Sequence, residues 1–138
     1  FHNVRRFFFD ATKISDGAHS LATREVHNSG GFHRILVDAP CSASGTLRRN
    51  PDVRFRILPH DIEKFAMTQL QILTNVHPYL KVGGKLIYTT CSVFREENES
   101  VVEKFLSAHT DFKRLEQKVV GSPHLDADTM FYAVLEKK

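Results

Sequence analysis

The chain has 138 residues and a mass of 15.8 kDa, the size of one domain, with little room for two independent cores. Hydrophobic residues make up 41% and charged residues 25%, which excludes a disordered or collagen-like chain. Nineteen Lys plus Arg against sixteen Asp plus Glu gives a net charge of +3, which allows a polyanionic partner without requiring one. No run approaches the roughly 18 apolar residues that span a bilayer, and the first residues lack the basic-then-apolar order of a signal peptide. A single-domain protein over residues 1–138, cytoplasmic and with no membrane partner, is therefore expected. Cys41 and Cys91 are the only cysteines, too few for a disulfide scaffold or a four-thiolate zinc site. The eight His show no ligand spacing, so no metal is expected. The chain opens on Phe1 and not on Met, and reads as part of something longer.

In chain order, residues 7–9 form a short apolar run ending at Asp10, predicting a strand, followed by a polar loop with one helical turn. Residues 32–37 end in the apolar triplet Ile35-Leu36-Val37, predicting a strand buried on both faces, as in a parallel sheet. Residues 42–58 carry Gly45, Pro51 and the arginines Arg48, Arg49, Arg54 and Arg56, predicting a long, exposed, basic loop. From Asp61, apolar residues recur at three or four positions through Leu80, predicting an amphipathic helix ended by Pro78 and the pair Gly83-Gly84. A strand over 85–90, a helix over 96–109 and closing strands over 112–115 and 130–135 complete the reading. The order of elements predicts an α/β sheet with helices on its faces, and ligands on such sheets sit at the carboxyl ends of the strands.

Two predicted strands end there in similar segments, Asp38-Ala39-Pro40-Cys41-Ser42 and Thr89-Thr90-Cys91-Ser92. Neighbouring parallel strands lie about 4.8 Å apart, so two such ends can bring both thiols to one cleft. Each cysteine also suits the role of a small buried hydrophobe. Asp38 can cap its loop or meet a ligand, and the arginines can be solvated or contact phosphate.

Asp38-Ala39-Pro40-Cys41-Ser42-Ala43-Ser44-Gly45, followed by Arg48-Arg49-Asn50-Pro51-Asp52, by Lys81-Val82-Gly83-Gly84-Lys85-Leu86-Ile87-Tyr88-Thr89-Thr90-Cys91-Ser92 and by Glu96-Glu97-Asn98, resembles the Sun family of RNA cytosine-5 methyltransferases. Phe131-Tyr132-Ala133 with Lys137-Lys138 resembles that family's last strand. The resemblance implies a Rossmann-like, S-adenosylmethionine-dependent methyltransferase sheet and an RNA substrate, with 16S ribosomal RNA the first expectation and transfer RNA the second. It implies that Cys91 is the nucleophile and that Cys41 assists product release, with Asp38 at the edge of a flipped-out cytosine and beside the cofactor. It also assigns Asp10 to the adenine of the cofactor, and it makes Arg48, Arg49, Arg54 and Arg56 RNA contacts, with Phe55 against a base or ribose. The family's glycine-rich cofactor loop and its Ala-Pro-Gly-Gly segment have no counterpart in these residues, so the chain reads as the later portion of a catalytic domain that lacks the first strands of its sheet. On that reading the isolated piece is inactive, binds the cofactor weakly or not at all, and is prone to dimerise through the open edge of the strand holding Ile35-Leu36-Val37. Three other readings compete. A noncatalytic RNA-binding module could dispense with Cys91. An exocyclic-amine methyltransferase usually carries a (Asp/Asn)-Pro-Pro-aromatic loop, and a thiol redox protein would have Cys-x-x-Cys.

Overall fold

The computed structural model describes residues 10–16, 30–122, 124 and 126–138, with backbone only for 14–16. The strand expected over 7–9 and most of the polar loop after it lie outside the described residues. Four strands form one sheet in the order β1-β2-β4-β3, with β1 at Phe32–Asp38, β2 at Leu80–Thr90, β3 at Phe112–Val120 and β4 at Met130–Lys137. β1 runs parallel to β2, while β2 with β4 and β3 with β4 are antiparallel. Three α-helices lie between them: α1 (Val53–Arg56), α2 (Pro59–Val76) and α3 (Glu99–Ala108).

The long helix α2 starts where the backbone requires it. Pro59 occupies the first turn, where its missing N–H costs nothing, and the Asp61 carboxylate accepts the Leu58 N–H at 3.1 Å. That bond holds the Asp61 carboxyl below its ordinary range. α2 and α3 pack together on one face of the sheet, burying Leu73, Val101, Val102 and Phe105 against Val37, Leu86, Tyr88, Phe131, Ala133 and Leu135. Tyr88 and Phe131 meet edge to face with ring centres 6.1 Å apart, and Phe105 meets Phe112 in the same way at 5.2 Å. Among the described residues, no helix is long and apolar enough to cross a membrane.

The structure differs from the sequence expectations in three places. β1 is not buried on both faces: Val37 is covered by the helices, but Leu36 is 65% exposed, because both long helices lie on the same side. Among the described residues β1 pairs only with β2. Leu80 and the pair Gly83-Gly84 belong to β2 and not to the end of α2. Between Phe32↔Leu80 and Arg34↔Lys85 the strand β2 advances further than β1, and Gly83 takes up the difference with a left-handed φ of 75° that a side chain would strain. The segment 42–58 is not an open loop: it contains a 3₁₀ turn at Ser44–Thr46 and helix α1, and Ser42, Ser44, Thr46 and Val53 are buried.

Phe105 is fully buried where α3, the sheet and the start of β3 meet. Phe105→Ala is expected to lower unfolding free energy by about 3–5 kcal/mol, measured by urea titration against the parent protein.

Candidate active site

Because β1 and β2 are parallel and in register through Asp38↔Thr89, their carboxyl ends finish side by side. The Ala39 N–H continues the ladder to the Thr89 carbonyl at 3.0 Å. The chain then turns over the sheet edge on both strands, and the two sulfurs meet: Cys41 Sγ lies 3.3 Å from Cys91 Sγ. Both are free thiols and both are half-buried. Burial, followed by the Cys41 thiol and the Asp38 charge, pushes the Cys91 thiol up to about 12, so at neutral pH it carries its proton. Asp38 is exposed at the end of β1 and, among the described residues, its side chain accepts a single long contact, from the Thr89 hydroxyl at 3.3 Å.

The loop that carries Cys41 is fixed by close backbone approach. The Gly45 N–H donates to the Cys91 carbonyl at 2.8 Å and the Gly45 carbonyl accepts the Thr129 N–H at 2.9 Å. A Cβ at Gly45 would collide with the Thr129 carbonyl and lie 2.9 Å from that of Cys91, so only glycine fits between the two segments. Ala43 has a left-handed φ of 57°, a conformation that costs a non-glycine residue about 1–2 kcal/mol. Beneath the sulfurs, three buried hydroxyls form a triangle, Ser42 to Ser44 at 3.0 Å, Ser42 to Ser92 at 3.1 Å and Ser44 to Ser92 at 3.2 Å. The Val93 N–H donates to Ser44 Oγ and the Phe94 N–H to Ser92 Oγ.

The remaining sequence-predicted residues divide. Arg49 makes a two-pronged pair with Asp128, Arg48 pairs with Asp126 and its carbonyl, and Arg56 pairs with Asp52 one helical turn away. Arg48 and Arg49 therefore bind the Cys41 loop to the segment before β4. Among the described residues, Arg54 alone of the four makes no ion pair, and its guanidinium lies 4.5 Å from the centre of the Phe55 ring, which is 75% exposed. Asp10 caps its own turn, accepting the Thr12 N–H at 2.9 Å and the Thr12 hydroxyl at 2.6 Å. None of its contacts is with Asp38 or the cysteines.

Sequence reasoning missed Glu97, Asn98 and Gln69, which lie fully buried beneath the cysteines. Gln69 carried a readable signal: it interrupts the apolar stripe of α2 between Ala66 and Leu73, where a buried amide needs a partner. Glu97 and Asn98 stood in a segment that carries the family resemblance, but local pattern gave no sign of their burial, since a glutamate ahead of a helix ordinarily marks its exposed first turn.

The lowered acidity of Cys91 gives a direct test. Its alkylation by iodoacetamide, followed on the Cys91 peptide by mass spectrometry, is expected to climb about tenfold per pH unit and still be rising at pH 10. An ordinary thiol, with a pKa of about 8.5, would have levelled off by then.

The family described as 16S rRNA methyltransferase RsmB/F matches residues 1–136. The chain is 43% identical over 107 residues to ribosomal RNA small subunit methyltransferase B of Proteus mirabilis, covering 78% of this chain and 25% of that protein. With the probable ribosomal RNA small subunit methyltransferase B of Bacillus subtilis it shares 43% identity over 102 residues, 69% of this chain and 23% of that one. It thus spans about a quarter of the length of these relatives. Two solved structures share its fold. The crystal structure of PH0851 superposes with a TM-score of 0.73 at 34% identity, over 76% of this chain and 26% of that one. NSun6 from Pyrococcus horikoshii, solved with the S-adenosylmethionine analogue SFG, superposes with a TM-score of 0.68 at 28% identity, over 98% of this chain and 35% of that one. The sheet is accordingly part of a Rossmann-like methyltransferase fold, and the chain belongs to the 16S rRNA methyltransferase RsmB/F family.

Proposed function

We propose that this chain carries the reacting groups of an enzyme that methylates carbon 5 of cytosine in RNA, 16S ribosomal RNA first among the candidates, through a covalent cysteine adduct. The observation that carries the proposal is the 3.3 Å approach of Cys41 Sγ to Cys91 Sγ at the carboxyl ends of two parallel strands. Carbon 5 of cytosine is a weak nucleophile, and methylating it calls for a thiolate at carbon 6 together with a second group that ends the adduct.

Each residue has a part in this scheme. Cys91 Sγ, once deprotonated, bonds to carbon 6 and pushes the ring electrons toward carbon 5 and the ring nitrogen edge. Asp38, exposed beside the thiols, accepts a hydrogen bond from the amino group at that edge and so orients the ring for addition. Cys41 Sγ sits where it can assist loss of the carbon 5 proton, after which the Cys91 sulfur leaves and the aromatic ring is restored. S-adenosylmethionine supplies an electrophilic methyl group when bound. An exposed carboxylate at the strand end fits a cationic cofactor, so Asp38 would hold it. Asp10, exposed and accepting from Thr12 through one of its two carboxylate oxygens, is proposed to meet the adenine of the cofactor.

In the complete enzyme, Cys91→Ala is expected to abolish both methyl transfer and any covalent RNA adduct, whereas Cys41→Ala leaves addition possible and traps the adduct. Denaturing gels after incubation with RNA and S-adenosylmethionine separate these outcomes. An adduct that survives Cys91→Ala and disappears in Cys41→Ala reverses the two roles.

RNA docking is proposed for Arg54 with Phe55, because Arg54 is free of the ion pairs that engage Arg48, Arg49 and Arg56. Exposed ion pairs are worth little, so the other three can exchange aspartate for phosphate at small cost. Arg54→Gln should reduce the slope of log affinity against log salt for single-stranded RNA by about 0.7, read from filter binding at several salt concentrations. An unchanged slope removes Arg54 from the interface.

A further inference from the structure

We propose that Glu97 is a positioning residue whose carboxylate holds Cys41 and Cys91 in apposition by binding the residue that follows each of them. One carboxylate oxygen, Oε1, accepts the Ser42 N–H at 2.9 Å. The other, Oε2, accepts the Ser92 hydroxyl at 2.5 Å. Glu97 therefore ties together two loops that arrive from different strands, at the position next to each sulfur. The inference rests on the reading of these cysteines as a working pair, and nothing in that chemistry itself requires Glu97.

The surroundings show that the carboxylate is a built connection. Gln69 Nε2 donates both to Glu97 Oε1 at 3.1 Å and to the Pro40 carbonyl at 2.9 Å, so the residues on both sides of Cys41 are held. The next residue does the same for Cys91. Asn98 Oδ1 accepts the Thr90 hydroxyl at 2.5 Å and Asn98 Nδ2 donates to the Ser92 carbonyl at 2.8 Å. The turn that carries both residues is anchored to the sheet by Tyr88, whose hydroxyl donates to the Glu97 carbonyl. Glu97 is fully buried, and none of the three donors to its carboxylate carries a charge.

A carboxylate is the group this position needs. Both of its oxygens only accept, and the Ser42 N–H can only donate. With the Ser92 hydroxyl proton committed to Oε2, Ser92 Oγ is left to accept from the Phe94 N–H and from the hydroxyl triangle. Glutamine has the same shape but turns one acceptor into a donor. Its oxygen must face the Ser42 N–H, which places its NH₂ against Ser92 Oγ, so the Ser92 hydroxyl must turn its proton into the triangle and one hydroxyl there loses its acceptor. The charge-assisted link from Cys41 to Cys91 is then weakened with little change in volume.

Thiol apposition can be read by disulfide equilibrium, independently of methylation. In the complete protein, oxidised glutathione accepts two electrons and two protons from Cys41 and Cys91, giving one intramolecular disulfide and two reduced glutathiones. The sulfurs then need only close from 3.3 Å to a bond of about 2.0 Å. Measured at pH 7, Glu97→Gln is expected to lower the equilibrium constant for that disulfide at least tenfold, about 30 mV for a two-electron couple. Ser92→Ala, which removes one donor and leaves the charge, is expected to lower it at least threefold. Circular dichroism melts establish that each variant is folded. Folded variants whose potentials match the parent protein overturn the proposal. If Glu97→Gln does not fold, Ser92→Ala decides alone, a threefold loss supporting the proposal and an unchanged constant overturning it. A shifted potential in a protein that never forms an RNA adduct would overturn the catalytic reading and leave Glu97 in its role.

Discussion

The pairing of β1 with β2 is the constraint from which the site follows. Parallel strands put equivalent ends on the same edge of a sheet, so Asp38 and Thr89 stand opposite one another and the residues after them must share one region of space. An antiparallel pairing of the same two segments would place the cysteines at opposite ends, about 20 Å or more apart for strands of this length. The long helix α2 makes the parallel arrangement possible, because a chain leaving one strand must cross the sheet before entering its parallel neighbour. The helix that buries Leu73 in the core is also the one that brings Gln69 beneath Pro40.

Strand pairing alone brings the loops near each other and leaves their register to the buried polar groups. A carboxylate removed from water costs several kcal/mol unless its oxygens are met by donors, and a serine hydroxyl without a partner costs about 1–3 kcal/mol. Such groups tolerate few alternative arrangements, since a small shift leaves one of them unsatisfied. The polar layer of Ser42, Ser44, Ser92, Glu97, Asn98 and Gln69 is thus a source of precision more than of stability. Gly45 acts in the same direction from the other side, because the Cys91 and Thr129 carbonyls leave no space for a side chain there.

Much of this was legible in the sequence, and the rest was hidden for definite reasons. The two cysteine segments followed apolar runs, so their place at strand ends could be read from local pattern, as could the presence of two closing strands near the carboxyl end, though not their antiparallel direction. The partners of the arginines could not: Arg48 and Arg49 reach Asp126 and Asp128 across β2, α3 and β3, and no local rule links such positions. A basic stretch that read as free to meet solvent or phosphate has three of its four arginines paired with aspartates. The triplet Ile35-Leu36-Val37 suggested burial on both faces, yet apolar content reports what a strand tolerates and not which layers cover it; Leu36 lies on the face away from α2 and α3. Gly83 and Gly84 stop a helix and permit a strand irregularity equally well, and only the register of β2 against β1 chose between them.

The packing around the sulfurs also keeps Cys91 quiet. Thiolates, not thiols, are alkylated and oxidised, and burial together with two nearby acidic groups keeps Cys91 protonated at neutral pH. Two adjacent sulfurs in an ordinary acidic state would be poised for adventitious disulfide formation. A raised thiol pKa slows that reaction without separating the atoms. By Coulomb's law, in a partly desolvated cleft, Cys91 is then sensitive to any positive charge that enters, an interaction of about 4 kcal/mol at 4 Å for an effective dielectric constant of 20. On the proposed chemistry, reactivity in this geometry is set by what occupies the cleft, and the protein's own contribution is to have the second sulfur and the Asp38 carboxylate near Cys91.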